Sequence, residues 1–205
     1  MADISPQLVR ELREKTNAGM MDCKRALAEA AGDLAKAEDL LRAKGIASAG
    51  KKASRSAKEG IVASYIHLQG KVGVLVEVNC ETDFVAKNEN FREFVKDITL
   101  HIAAANPTCV SREQVDPAHI EREKAIYRQQ VEGKPANIVE KIVDGKVDKF
   151  YGTICLMEQP FIKNPDLTIA DLVKSKISEL GENIVIRRFT RYMVGEGVAD
   201  EPSAE

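Results

Sequence analysis

Apolar positions in residues 5–45 recur at helical spacing in three short runs. Ser5 followed by Pro6 is typical of a helix start, because serine caps the helix and proline tolerates its first turn. Glycine-containing turns separate the runs, and the third run ends before Gly45. The pattern predicts a three-helix domain over residues 1–46.

A polar segment and then a change of period follow the three helical runs. Residues 47–60, "ASAGKKASRSAKEG", contain almost no large apolar side chain and are predicted to be a linker. From Ile61 onward the apolar period is two, and "IVASYIHL" and "VGVLVEVNC" flank a glycine-containing loop, which predicts a β-hairpin. Leu75 is the one large apolar residue on the face opposite four valines, Val72, Val74, Val76 and Val78.

The rest of the chain alternates between helical and extended patterns. Helical spacing returns at Phe91 and in three later runs, the last of them opened by a capping box at Thr168. "TICLMEQPF" is predicted to be extended, and "NIVIRRFTRYM" is predicted to be a third strand. The predicted fold class is α+β: a core over residues 61–194 with a small antiparallel three-stranded sheet covered by helices. An acidic, disordered tail is expected over residues 195–205.

Charge and composition exclude several classes of function. The 205 residues carry a formal net charge of −2, which argues against bulk electrostatic binding to nucleic acid or anionic membranes. No apolar run reaches the roughly 18 residues that span a bilayer, and the charged N-terminus is unlike a signal peptide, so the cytoplasm is expected. Four cysteines, distant in sequence, are predicted to be buried thiols. One basic cluster is interpreted as a solvated face rather than an RNA contact: Lys51, Lys52, Arg55 and Lys58.

Signatures of catalysis or cofactor binding are missing from the sequence. Residues 45–52, "GIASAGKK", begin like a phosphate-binding loop, but Lys52 stands where a hydroxyl must hold magnesium, and a helical pattern precedes the segment. His67, His101 and His119 have no companion ligands at metal-binding spacing. We therefore expect no cofactor and no metal, and the sequence favours a protein that works by binding.

Two apolar pairs stand where contact with solvent is expected. Met20 and Met21 are consecutive, so they cannot both face the core of a small helix, and at least one is expected to be exposed. Asp83 and Phe84 follow a strand pattern in "NCETDFVAKN". Phe84 either fills the gap between strand and helix or is exposed for a partner, and the pattern alone leaves both interpretations open.

Two long segments carry a resemblance to a known family. "LREKTNAGMMDCKRAL" (12–27) and "EVNCETDFVAKN" (77–88) resemble the two signature motifs of the elongation factor Ts family, and "GENIVIRRF" adds to the likeness. The resemblance implies a ubiquitin-associated-like three-helix domain followed by an α+β core. It also implies a non-enzymatic guanine-nucleotide exchange factor for elongation factor Tu. Such a factor binds GDP-bound and nucleotide-free Tu, displaces the elements that hold magnesium and phosphates, and promotes GDP release so that GTP can bind.

The resemblance also implies the residues that contact Tu. The motif whose aromatic side chain inserts between helices of the Tu GTP-binding domain corresponds to Thr82, Asp83, Phe84 and Val85. Other family contact positions match Arg13, Met20, Met21, Lys24, His67, Ile162, Leu180 and Gly181.

The chain has one copy of the core, like the short form of the family, so the resemblance implies a homodimer with no direct nucleic-acid or membrane partner. Two other hypotheses stay open from the residues alone. One is a helical adaptor whose N-terminal bundle binds peptide or RNA, and the other is an enzyme with its own nucleotide site.

Overall fold

A computed structural model describes residues 4–197 except for 17, 132 and 134. Most of the predicted tail (195–205) and part of the predicted turn at 17–19 therefore lie outside the described residues.

Three N-terminal helices pack around one small core, as predicted. They are α1 (Pro6–Thr16), α2 (Met20–Glu29) and α3 (Leu34–Lys52). Asp33 caps α3, since its side chain accepts a hydrogen bond from the backbone N–H of Lys36 at 3.1 Å. The buried side chains of this core are Val9, Leu12, Cys23, Ala26, Leu27, Ala30 and Ala37.

The third helix is longer than predicted. It does not end before Gly45 but continues to Lys52, so the first part of the predicted linker is helical and only residues 53–58 connect it to the first strand. The extension is rich in alanine, and alanine has the highest helix propensity of all residues, so the local sequence favours it. Gly45 is buried, and a Cβ there would lie 2.9 Å from Oγ of Ser178, so the glycine permits close packing and does not end the helix.

Five further helices occur within the described part of the chain. The predicted helical runs after Phe91 are confirmed, and a short additional helix precedes them. Four apolar side chains form a separate core between the sixth and seventh helices: Ile120, Val131, Val143 and Val147. The five helices are α4 (Asp83–Lys87), α5 (Glu89–Ala105), α6 (Pro117–Gln130), α7 (Ala136–Ile154) and α8 (Ile169–Leu180).

A three-stranded sheet is present, as the sequence predicted, and its strands lie in the order β1 (Glu59–His67), β2 (Val72–Cys80) and β5 (Val185–Met193). Its central strand carries the four buried valines. The contacts of Lys71 O with Val194 N–H (2.9 Å) and of Glu77 with Arg188 run in opposite chain directions, so β2 and β5 are antiparallel. The described strands are β1 (Glu59–His67), β2 (Val72–Cys80), β3 (Pro160–Phe161), β4 (Asn164–Thr168) and β5 (Val185–Met193).

The segment predicted to be extended, "TICLMEQPF", is mostly not a strand. Its first two residues complete α7, residues 156–158 form a 3₁₀ turn, and only Pro160–Phe161 is a strand. The helix persists because Ile154 continues the apolar stripe of α7. The antiparallel pair β3-β4, which the sequence analysis did not predict, forms a second small sheet.

The fold brings together two cysteines that are distant in sequence. Cys109 and Cys155 form an isolated parallel β-bridge, and their Sγ atoms lie 3.6 Å apart as free thiols. Cys109 is half-buried, so the prediction of buried thiols is wrong for this residue and confirmed for Cys23, Cys80 and Cys155.

The chain divides into two compact units. The first contains Met1–Ile61, Asn79–Phe94 and Ala170–Val185, and the second contains Val62–Val78, Val95–Ile169 and Ile186–Glu205. Helices and a small antiparallel sheet together make a mixed α+β fold. None of the helices in the described ranges is long and apolar enough to cross a membrane.

Candidate protein-binding site

The motif after β2 is a short capped helix and not a turn. Thr82 is the N-cap of α4, and its Oγ1 accepts a hydrogen bond from the backbone N–H of Val85 at 3.4 Å. Ala86 is the buried residue of this helix, and the backbone N–H of Asn88 ends it by donating to Val85 O at 3.0 Å. The five-residue helix therefore projects its first turn from the end of the strand.

Phe84 is the most exposed large apolar side chain of this helix. It is 80% exposed, while its neighbour Val85 is half-buried. The interpretation of Phe84 as a plug between strand and helix is therefore wrong, and the alternative, an exposed aromatic, is confirmed. An aromatic side chain that is left in water at this level contributes little to folding and is available to a partner.

Asp83 places a negative charge next to Phe84. Its carboxylate accepts a hydrogen bond from Lys87 Nζ at 2.6 Å, one helical turn further along. This hydrogen bond holds the pKa of Asp83 below its ordinary value, so the carboxylate is ionised at neutral pH. Phe84 thus follows directly on an exposed ion pair between Asp83 and Lys87 at the start of α4.

Leu180 and Gly181 lie near the motif at 82–85 because the next residue, Glu182, binds Thr82. Gly181 ends α8 with a φ of +78°, a left-handed conformation that glycine adopts without strain, and its N–H donates to Ile177 O at 3.0 Å. The chain then turns to Glu182, whose carboxylate accepts a hydrogen bond from Thr82 Oγ1 at 2.6 Å. The structure therefore brings the predicted residues at 180–181 next to the predicted motif at 82–85.

Sequence reasoning missed Glu182 and Asn183 as residues of this site. In the sequence, "GENIVIRRF" indicates only the family likeness and "NIVIRRFTRYM" only a strand. An acid and an amide directly between a helix-ending glycine and a buried strand were a usable signal, because polar groups at such junctions need partners. Asn183 is buried and donates two hydrogen bonds through Nδ2, to Ala53 O at 3.3 Å and to Arg55 O at 2.8 Å.

A second group of predicted residues lines one open groove on the N-terminal helices. The groove has a volume of about 760 Å³. Met20 and Met21 are 59% and 64% exposed, so both lie in solvent where at least one was expected to. The buried face of α2 is formed by Cys23, Ala26 and Leu27, so the two methionines that begin the helix are not needed for the core. The lining residues are Ile4, Pro6, Val9, Arg10, Arg13, Glu14, Met20, Met21 and Lys24.

Two predicted residues belong to the second compact unit and are described separately. His67 is exposed at the end of β1, where Tyr65 Oη lies 2.8 Å from its Nδ1. Ile162 is exposed in the turn between β3 and β4, and its backbone N–H donates to Nδ1 of His101 at 3.4 Å. Each occupies the surface, so each is accessible to a partner.

These surfaces expose apolar and singly charged side chains. Across the described residues there is no group of three or more histidine, cysteine, aspartate or glutamate side chains that could hold a metal ion. What is exposed is a set of apolar side chains flanked by single charges, with methionines that adapt to an opposing surface. Exposed apolar side chains of this kind are typical of surfaces that bind a protein partner.

The comparison with known proteins identifies the family. The family described as Elongation factor TS matches residues 46–196. An Elongation factor Ts of Alkaliphilus oremlandii is 61% identical over 198 residues, covering 96% of this chain and 91% of the relative. That of Geotalea uraniireducens is 59% identical over 202 residues, covering 98% and 94%. That of Carboxydothermus hydrogenoformans is 59% identical over 198 residues, covering 96% and 91%.

The chain belongs to the elongation factor Ts family, and its function is nucleotide exchange on elongation factor Tu.

Proposed function

We propose that the chain promotes GDP release from elongation factor Tu by inserting Phe84 between helices of the Tu GTP-binding domain. The insertion displaces the elements that hold magnesium and the phosphates, so that GDP leaves and GTP can bind. The chain carries out no reaction of its own and needs no cofactor or metal. The observation that carries this proposal is the 80% exposure of Phe84 at the start of a capped helix.

The energetics require more than one contact. Exchange factor and nucleotide weaken each other's binding to Tu by the same factor, because the two equilibria are linked. A thousandfold faster release corresponds to about 4 kcal/mol at 1.4 kcal/mol per decade. Burying one phenylalanine contributes about 2–3 kcal/mol. Phe84 alone is therefore insufficient, and further contacts must share the work.

The groove that Met20 and Met21 line is the proposed second contact. Its apolar side chains are flanked by Arg13 and Lys24, which suits a partner surface that combines apolar and acidic groups. We assign this groove to a ubiquitin-associated-like domain whose third helix runs to Lys52 and which residues 53–58 join to the core. Additional Tu contacts are proposed at His67, Ile162, Leu180 and Gly181.

The outer face of the sheet supports a homodimer. Val62, Ile66 and Leu75 are all exposed. A Cβ at Gly73 would lie 3.3 Å from Cδ1 of Ile66, so Ile66 covers the face that also carries Leu75. Contiguous apolar side chains on an open sheet need cover.

We propose that two chains pair through this face in the cytoplasm, with each Tu touching both protomers. Sedimentation at micromolar concentration should then report about twice 22.5 kDa without Tu. A monomer that exchanges nucleotide at the full rate would contradict this arrangement.

Linkage gives the test of the exchange proposal. Calorimetric titration of nucleotide-free Tu and of GDP-saturated Tu should show weaker binding of the protein when GDP is present. The ratio of the two affinities should equal the factor by which the protein weakens GDP binding. Equal affinity for both forms of Tu would refute the proposal.

The alternatives make different predictions. An enzyme with its own nucleotide site would bind GDP in stoichiometric amount without Tu, which equilibrium dialysis of the free protein would detect. A helical adaptor would bind its partner through the N-terminal groove and would be indifferent to Phe84. The family assignment favours the exchange factor over both.

A further inference from the structure

The carboxylate of Glu182 holds the segment before α4 at three points. Its Oε2 accepts hydrogen bonds from the backbone N–H groups of Glu81 and Thr82, both at 3.0 Å. Its Oε1 accepts a hydrogen bond from Thr82 Oγ1 at 2.6 Å. Hydrogen bonds to a charged acceptor are shorter and stronger than neutral ones. One side chain thus fixes both the backbone and the capping hydroxyl at the start of α4.

The contact is reciprocal, because the two acids each bind the other's backbone segment. Glu81 Oε1 accepts from the backbone N–H of Asn183 at 2.6 Å, and it also lies 3.5 Å from Nη1 of Arg55. The side chain of Asn183 in turn binds the carbonyl oxygens of Ala53 and Arg55. The motif, the end of α8 and the segment after α3 are therefore joined by polar contacts within the first compact unit.

The other contacts of α4 with its surroundings are weaker: Cys80 Sγ donates to Thr82 O at 3.2 Å, Arg92 Nε donates to Ala86 O at 3.4 Å, and Val85 is half-buried. A helix of five residues is far too short to be stable by itself. Ala86, with its small side chain, is the one residue of α4 that is buried, and Phe84 is in solvent. The hydrogen bonds to Glu182 are the charge-assisted contacts that hold the residues directly before the first turn of α4.

We propose that Glu182 is a positioning residue for nucleotide exchange: it pre-orients α4 so that Phe84 meets Tu in the inserting geometry. This inference rests on the proposed function, in which Phe84 makes the decisive contact. A helix whose backbone is already held in its bound orientation loses less conformational freedom on binding, so less of the contact free energy is lost to ordering the segment.

The test compares Glu182→Ala with Glu179→Ala in the release of fluorescent GDP from Tu. Glu179 is the matched control, since it is an acid in the last turn of α8, shortly before Glu182. It accepts a hydrogen bond from Asn90 Nδ2 of a distant segment at 3.0 Å and another from Lys176 Nζ of its own helix at 2.8 Å. We expect Glu182→Ala to slow release about tenfold and Glu179→Ala to slow it less than about twofold. Equal rates for Glu182→Ala and the unchanged protein would overturn the inference.

A double-mutant cycle separates positioning from general damage. If Glu182 acts through Phe84, then adding Glu182→Ala to Phe84→Ala should slow release less than about twofold further. The same slowing in both backgrounds would mean that Glu182 acts by another route, and it would overturn the inference. Glu182→Gln, which keeps one acceptor for the backbone amides, should give an intermediate rate and serves if the alanine variant does not fold.

A readout without Tu tests the geometry directly. In hydrogen–deuterium exchange of the full chain, the amides of Glu81 and Thr82 should exchange at least about tenfold faster in Glu182→Ala. Unchanged protection would overturn the positioning role. If the unchanged protein fails to accelerate GDP release, the proposed function fails and takes this inference with it. If it accelerates release and Glu182→Ala does so equally well, this inference alone fails.

Discussion

Replacing Phe84 with alanine is the perturbation that the structure makes most informative. The side chain is 80% exposed, so its removal opens no cavity in the core of the free protein. Exposed substitutions of this kind change the free energy of unfolding by less than about 0.5 kcal/mol. Alanine is also a better helix former than phenylalanine, which offsets part of any loss. The melting temperature should therefore stay nearly unchanged.

The effect on exchange should be large, because the same surface is covered in the complex with Tu. Burying a phenylalanine side chain is worth about 2–3 kcal/mol, and alanine retains only the part due to Cβ. Loss of that free energy from the transition state would slow GDP release about 30- to 150-fold. Since part of the contact also stabilises the ground-state complex, we expect at least about a tenfold decrease.

Stopped-flow release of fluorescent GDP from Tu measures this decrease, with thermal unfolding recorded on the same samples. Ile138→Ala is the control, since Ile138 is an apolar residue of α7 that is 44% exposed and lies outside both the proposed Tu contacts and the proposed dimer face. It should exchange at the unchanged rate. The reasoning is refuted if Phe84→Ala exchanges normally, or if it unfolds at a markedly lower temperature, which would make Phe84 a core residue.

Three other predictions follow from the structure. Replacing Met20 and Met21 with alanine should weaken Tu binding, with Met21→Ala alone costing about 1–2 kcal/mol; full affinity of the double variant in calorimetry would remove both from the site. Burial, and after it the nearby charge of Glu182, raises the pKa of Cys80 to about 11 from an ordinary value near 9. The folded state keeps this proton longer than the unfolded state, so stability should fall by roughly 2–3 kcal/mol between pH 9 and 11. Cys80→Ala should show a smaller fall in denaturant unfolding over that range, and an identical fall would contradict the assignment. Peroxide should convert the Cys109 and Cys155 thiols to a disulfide with release of two waters, stabilising the α6–α7 segment by at most about 4 kcal/mol; a mass unchanged after oxidation would show that the thiols do not meet.

The sequence was informative where local pattern and burial agree. The alternating valines of β2 fixed its buried face, and Asp33 marked the start of α3 through its capping side chain. The end of α3 was not predictable from Gly45 alone, because glycine ends a helix in some settings and permits close packing in others. The contact with Ser178, which is distant in sequence, decides between the two.

The residues of the candidate site could be named from the sequence, but their exposure and contacts could not. The motif containing Phe84 could be quoted from the sequence, yet its exposure depends on how α4 leaves β2, which local pattern does not specify. The role of Glu182 was out of reach for the same reason. It lies 100 residues from Thr82 along the chain, and only the fold places the carboxylate against that segment. Hydrogen bonds between distant segments leave no periodic trace in a sequence.

The most direct test of the central claim is the release of fluorescent GDP from purified elongation factor Tu with and without the unchanged protein. If the protein is an exchange factor, the rate should rise with the concentration of the protein and then saturate, with an acceleration of about a thousandfold, equivalent to roughly 4 kcal/mol. The same maximum should be reached whether or not GTP is present as the incoming nucleotide, because release is the accelerated step. A rate of GDP release that does not change on adding the protein would contradict the account.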